Sequence, residues 1–426
     1  MKKLISMLLA LAMVLSLSSA FAAEPVEVKF FGLKIEIDPA LQEYATWYNQ
    51  QHPDVKVTIE SLGGGADYGA VLKTKNQAGE LPQIIQVEGE AGYNDWKDHI
   101  VTLDDMEFVK KTTLGYTDAE GHVVGMPVGI EGYGLAYNKD LLDKAGIDPA
   151  TLNTRANIQA AFEKLDGMKE ELGIDYVVSA AGSIAGGMWW SMGQHIWSTY
   201  FSAGLEYGDR TYIDMAKEGK VDEARLKEFA EYVALLYKYA NPDVLKNGDY
   251  NAQITPFADQ KCVFVCQGNW IDPNMKELKA DFNMGFAPHA FLNDVEDNGI
   301  QINPPSWYLV TNTGSEEQIA AAKAFLDSFV TTKEGQSFFT EKAGMVPAFD
   351  GFEVKPTGKL SLDLMEKNSK GGNHAWHFGE QPSGYGQNVI GPIMDLYADD
   401  PQNVDVDALT KDLADAVAQM PELLKK

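Results

Sequence analysis

The side chains that could do chemistry in this chain are flat aromatic rings together with carboxylates and amides, set in loops. Gly268-Asn269-Trp270 places a tryptophan on a turn just past a strand-like segment. Residues 182–208 (GSIAGGMWWSMGQHIWSTYFSAGLEYG) carry Trp189, Trp190 and Trp197, for which packing along helices is an equal expectation. Residues 371–388 (GGNHAWHFGEQPSGYGQN) add Trp376 and Tyr385 to glycines and amides; with so little aliphatic content they read as an ordered surface or cleft loop. A sugar offers hydroxyls in fixed geometry and a weakly polar C–H face. Rings bury that face at low entropic cost, and carboxylates and amides meet the hydroxyls.

Catalytic signatures do not accompany these residues. The chain has no P-loop, HExxH or GxSxG motif. Asn403 to Asp407 starts like a calcium loop, but Ala408 and Ala414 stand where that loop needs glycine and glutamate. His374 and His377 have metal-like spacing without a third ligand. No metal or other cofactor is expected. A carboxylate pair for glycoside hydrolysis is defined by spatial separation, and nothing local points to one.

The chain has 426 residues, enough for two or three domain-sized units. Lys2-Lys3, the apolar run Leu4 to Leu17 and Ala20-Phe21-Ala22 form a secretory signal peptide over residues 1–22. The net charge of −27 becomes −29 once that leader and its two lysines are removed. Nucleic acid and anionic membrane surfaces are therefore poor partners. Cys262 and Cys266, read as one face of a strand, sit too far apart for a disulfide and are expected as buried thiols.

These residues must be positioned by an α/β scaffold. Residues 26–31 read as a strand. Leu41, Tyr44, Ala45 and Tyr48 have helical spacing, and Val55, Val57 and Ile59 alternate as a second strand. A helix over 67–78 and a strand over 83–87 complete a β-α-β-α-β order, the pattern of a parallel, doubly wound sheet. Ligands of such sheets bind beyond the carboxyl ends of the strands. Those ends are Gly32 to Lys34, the loop from Ser61 to Asp67, and Glu88 to Glu90. Further on, Gly125 to Asp143 reads as a turn, a strand over 134–137 and a helix capped by Asn138. Ser315 and Gln318 form a capping box ahead of another helix.

Four segments together resemble the extracellular solute-binding proteins of ABC importers, in the sugar-binding branch that includes the maltose-binding protein. They are GMPVGIEGYGLAYNKDLLDKAGID, FADQKCVFVCQGNW, PPSWYLVTNTGSEEQIAAAKAFLDSFVT and EGQSFFTEKAGMVPAF. The resemblance implies a periplasmic-binding-protein fold of type II-like form. Each of its two lobes is a doubly wound sheet flanked by helices, with the ligand cleft at the hinge. It places one lobe at 24–132 plus 303–335 and the other at 133–302 plus 336–426. Carried over position by position, Glu131 falls near the hinge crossing, Trp270 on a stacking tryptophan, and Tyr385 and Trp376 near a C-terminal stacking aromatic. Lys34, Asp67, Glu88 and Glu90 fall on first-lobe loops that supply polar contacts. Asn269, Trp307, Trp189 and Trp190 complete the candidate set, and the turn Gly129 to Gly134 is where sugar contacts are expected.

The function so implied is capture of a sugar or oligosaccharide for ABC permease subunits, by a monomeric, non-enzymatic protein outside the cytoplasm. The alternatives are a same-fold protein for a polyamine or metal chelate, and a secreted polysaccharide-degrading enzyme.

Overall fold

The computed structural model describes residues 24–63 and 66–425. The leader read at 1–22, with Gly64 and Gly65 of the second ligand-side loop, lies outside them. The strands are β1 (Val26–Gly32), β2 (Val55–Ser61), β3 (Ile84–Glu88), β4 (Tyr116–Thr117), β5 (Val123–Pro127), β6 (Glu131–Asn138), β7 (Val178–Ser179), β8 (Phe264–Gly268), β9 (Met284–Ala287), β10 (Ile300–Asn303), β11 (Ser306–Val310) and β12 (Asn373–His374). They make two sheets, ordered β2-β1-β3-β11-β5-β4 and β12-β10-β6-β8-β7, with β9 also on β6.

In the first sheet β1 pairs in parallel with β2 and β3, as the β-α-β-α-β order requires, and β11 enters antiparallel beside β3. Both faces are covered. Phe30 and Ile84 face helices α1 (Asp38–Gln51) and a later helix at Glu316–Thr331, while Phe31 and Ile85 pack on the other side with Leu72, Val87 and Leu309. Near-continuous apolar strands are what a doubly covered sheet needs. Helix α2 (Tyr68–Gln77) starts at Asp67, whose carboxylate accepts from the Ala70 amide. The capping box of Ser315 and Gln318 is formed in full.

The second sheet is built on β6, which is longer than the sequence implies. Its Tyr133, Leu135 and Tyr137 face one core and Ala136 the other. The expected turn Gly129–Gly134 is thus strand from Glu131 onward. Gly132 and Gly134 are packing positions: a Cβ on Gly132 would lie 2.4 Å from Leu364, and one on Gly134 2.9 Å from the Ala287 carbonyl oxygen. The YNKDL helix follows, with Asn138 accepting from the Leu141 amide. The cysteine strand begins only at Phe264, so the alternation does not reach back to Cys262. The two thiols are buried and unpaired, Cys262 in one core and Cys266 in the other.

Three stretches cross between the sheets. The first, Val128 to Ile130, and the second, Pro304-Pro305, lie close to the expected boundaries at 132 and 303. The third does not. Phe338, Phe339, Ala343, Met345 and Phe349 all bury in the first lobe's core, and the Asp350 amide donates to the Lys111 carbonyl. Leu360 and Leu364 are in the second. The return therefore falls between Asp350 and Leu360, not at 335, because burying this aromatic run outweighs ending the lobe at the preceding helix.

Candidate functional site

A cavity of about 520 Å³ lies between the lobes, inside the range of small-molecule clefts. The ends of β1 and β3 deliver Lys34, Gln86 and Glu88 to one wall. The opposite wall carries Trp189, Trp190, His195, Tyr250, Trp270 and Tyr385. Glu131, at the start of β6, reaches the cavity from beside the first crossing.

Eight of the twelve sequence candidates line this space: Lys34, Asp67, Glu88, Glu131, Trp189, Trp190, Trp270 and Tyr385. Four do not. Glu90 is exposed on the first turn of the short helix Gly89–Asn94. Trp307 sits in β11, where its indole donates to the Leu114 carbonyl and meets the edge of Tyr116. Asn269 is buried; it accepts from the Gly132 amide at 2.8 Å and donates to Ser361 at 3.1 Å, so it holds the turn that carries Trp270. Trp376 is 5 % exposed and lies behind the wall, in the core. Residues 371–388, read as loop without core content, therefore supply Trp376, Phe378 and Tyr385 to the second lobe's core as well as the cavity rim.

The aromatic wall is ordered around His195, a residue sequence reasoning passed over. Tyr133, Trp270 and Trp376 have ring centroids about 6 Å apart with nearly parallel planes. His195 lies 5.1, 5.3 and 5.0 Å from them, with Trp190 and Phe378 edge-on. Burial and the nearby Lys34 ammonium push its pKa down to about 3, so the imidazole is neutral. Its Nδ1 has no protein partner. The signal available was its place as the one titratable side chain in GGMWWSMGQHIW. Trp270 is held in turn by its indole N–H, which donates to Gln267 at 2.6 Å. Gly268 gives it room: a Cβ there would lie 2.1 Å from the indole ring.

The acidic corner is also coupled. Lys34 contacts Glu131 across the lobe boundary and Glu36 at 3.3 Å. Burial pulls its ammonium down, but Glu131, Glu36 and Glu88 outweigh that and hold it firmly protonated. One cation serves three carboxylates. Burial and the excess negative charge push Glu88 up to about 7 and hold Glu131 above the ordinary carboxylate range. Further cavity residues missed from sequence include Tyr68, whose hydroxyl donates to the Phe31 carbonyl, and Gln86, which accepts from the Leu33 amide.

A family model described as bacterial extracellular solute-binding protein matches residues 43–360. The chain belongs to this family. It is 22 % identical over 335 residues to a multiple sugar-binding protein of Streptococcus mutans, covering 76 % of each chain. It is 24 % identical over 368 residues to an sn-glycerol-3-phosphate-binding periplasmic protein of Salmonella typhimurium, covering 79 % of this chain and 78 % of that one. Two solved structures share its fold. One is the solute-binding protein RafE in complex with raffinose, with TM-score 0.71, 18 % identity, and coverage of 93 % of this chain and 100 % of that one. The other is a sugar transporter protein of Bacillus licheniformis in complex with stachyose, with TM-score 0.72 and the same identity and coverage. The two-lobe α/β architecture is thus that of extracellular solute-binding proteins.

In this solute-binding protein the lobes meet at the mouth of the cavity. Gly89, with φ of +62°, faces Gly379 backbone to backbone, and a Cβ on Gly379 would lie 2.7 Å from the Gly89 Cα. Ser383 and Asp95 join the lobes beside them at 3.1 Å. Gly379→Ala is expected to hold the lobes apart, since both contact partners are backbone. Small-angle scattering should find the variant's radius of gyration insensitive to a ligand that compacts the parent, with affinity reduced at least about tenfold.

Proposed function

We propose that this protein captures a saccharide in the interlobe cavity and presents it to the membrane subunits of an ABC importer, acting as a monomer outside the cytoplasm and without turning its ligand over. The observation that carries this is the composition of the two walls. Trp190 and Trp270 on one side offer faces for the C–H surface of a sugar, while Glu88 and Glu131 accept or share its hydroxyls. The names of the relatives support the same reading, since several bind oligosaccharides. Closure on the ligand would bring the two lobes to the Gly89–Gly379 contact, and the closed form is what a permease would recognise.

Thermal denaturation with a panel of neutral, amino and acidic oligosaccharides, raffinose, stachyose and mannobiose among the neutral ones, tests this. A ligand held by the native state alone raises the melting temperature, by about 2.7 kcal/mol of added stability at one hundred times Kd. A clear rise with at least one saccharide is expected. A panel in which no saccharide of any charge shifts the transition would sink the proposal.

A further inference from the structure

We infer that the cavity is built for a saccharide carrying a cationic amino group, with the ammonium set against Glu88, and that it rejects phosphorylated and uronate solutes. This rests on the saccharide reading above and adds its charge.

The carboxylates that line the cavity are Glu36, Asp67, Glu88, Asp95 and Glu131; the cations are Lys34 and Lys73. Neither cation stands unpaired. Lys73 is paired with Asp95 at 3.4 Å on the rim, and Lys34 is shared by Glu131 and Glu36. Among the described residues no arginine lines the space. His195 is neutral. A phosphate or uronate would thus enter a partly desolvated, net negative site without a counter-ion, which is the costliest way to bury a charge.

Glu88 presents the opposite case. From the end of β1 it faces Lys34 and Glu36, from β6 Glu131, and from the second lobe the Gln194 amide, which hydrogen-bonds its carboxylate. The only cation among these already serves two other carboxylates. Burial, with Glu131 and Glu36 nearby, outweighs a neutral amide and a fraction of one ammonium, so this carboxyl lacks a counter-charge of its own and is pushed up to about 7.

His195 adjoins Gln194 in the chain and borders the cavity with a neutral ring, so it adds no positive charge to this wall. A carboxylate without its own counter-charge suits a donor-rich group. A hydroxyl offers one hydrogen, whereas an ammonium offers three and the missing charge. The faces of Trp270 and Trp190 beside His195 also favour a cation over a neutral group.

Calorimetric titration of the whole mature protein near neutral pH, with matched sugars, reads this directly. The pair is N,N′-diacetylchitobiose and its de-acetylated glucosamine disaccharide, with digalacturonate and glycerol 3-phosphate as anions and spermidine as a free amine. The glucosamine disaccharide is expected to bind at least about tenfold more tightly than its acetylated partner, and the anions not at all. Glu88→Gln is expected to shrink that ratio to within about threefold. Equal affinity for the matched pair, no binding of the glucosamine disaccharide, an unchanged ratio in Glu88→Gln, or uptake of either anion overturns the inference. Binding of neutral sugars with no preference for the amine leaves saccharide capture standing and removes only the charge. Binding of spermidine with no saccharide overturns both this inference and saccharide capture.

Discussion

Trp270→Ala is expected to weaken saccharide binding by more than tenfold while the lobes stay folded. The ring is placed by three independent constraints: the indole N–H bond to Gln267, the absent Cβ at Gly268, and near-parallel packing with Tyr133 and Trp376. Such a ring does not reorganise when a ligand arrives, so its whole face is available at no further entropic penalty. Covering roughly 80 Å² of that face gives about 2 kcal/mol, and specific stacking adds about 0.5–1 kcal/mol. The sum corresponds to a loss of between tenfold and a few hundredfold. Trp270→Phe should recover part of it. Calorimetry with the best sugar found by thermal shift measures the effect, with circular dichroism to confirm folding. An unchanged titration would remove Trp270 from the site.

Lys34→Met is expected to cost about 3–5 kcal/mol of stability, the range for removing one partner of a buried ion pair. Lys34 is the sole cation beside Glu131, Glu36 and Glu88, and its side chain and that of Glu131 are almost fully buried. The methionine keeps the apolar stem and deletes only the charge. Because Lys34 belongs to the first lobe and Glu131 to the first strand of the second, the loss falls most heavily on the closed form. Ligand affinity should drop with stability.

The pH dependence has a definite sign. Glu88 has a folded pKa raised to about 7, above its unfolded value, so the native state binds the extra proton between the two. Its contribution to stability therefore declines as pH rises through that window. In Lys34→Met the carboxylates lose their cation and the decline steepens. The variant should unfold at markedly lower urea than the parent at slightly alkaline pH and approach it in mild acid. The double variant Lys34→Met/Glu131→Gln should regain part of the loss. Equal urea midpoints for variant and parent across this range would rule out the ionic cluster as a stabilising element.

Much of the scaffold was legible in the residues. Alternation in Val55 to Ile59 and the helical spacing of Leu41 to Tyr48 are local patterns, and local patterns report local structure. Asn138, Asp67 and Ser315 act as caps because a side-chain oxygen one turn from an orphan amide needs nothing distant to do so. Eight cavity residues were reachable because parallel strands must deliver their carboxyl ends to one edge, because Glu131 and Trp270 lay in segments with a family resemblance, and because Trp189, Trp190 and Tyr385 lay in aromatic-rich stretches. Less was legible where two similar residues compete for one environment. Trp376 and Tyr385 share a loop and a chemistry and both pack in the core, yet only Tyr385 also borders the cavity. Glu88 and Glu90 are two residues apart, yet only Glu88 faces the ligand space, since Gly89 turns the chain at positive φ.

By itself the sequence determined the α/β class, the order of its elements and the aromatic-and-carboxylate chemistry of its cleft, through periodicity, caps and residue type along the chain, while the two-lobe form was implied by the family resemblance. Tertiary structure alone decided which residues share one environment. It carried the return crossing beyond Asp350 to bury Phe338, Phe339 and Phe349. It enclosed His195 in aromatic rings from four separate segments. It also set three carboxylates, from the turn after β1, from β3 and from β6, around one lysine. Most of those contacts join residues more than 50 positions apart, chosen by which packing buries the most apolar surface and leaves the fewest charges unpaired.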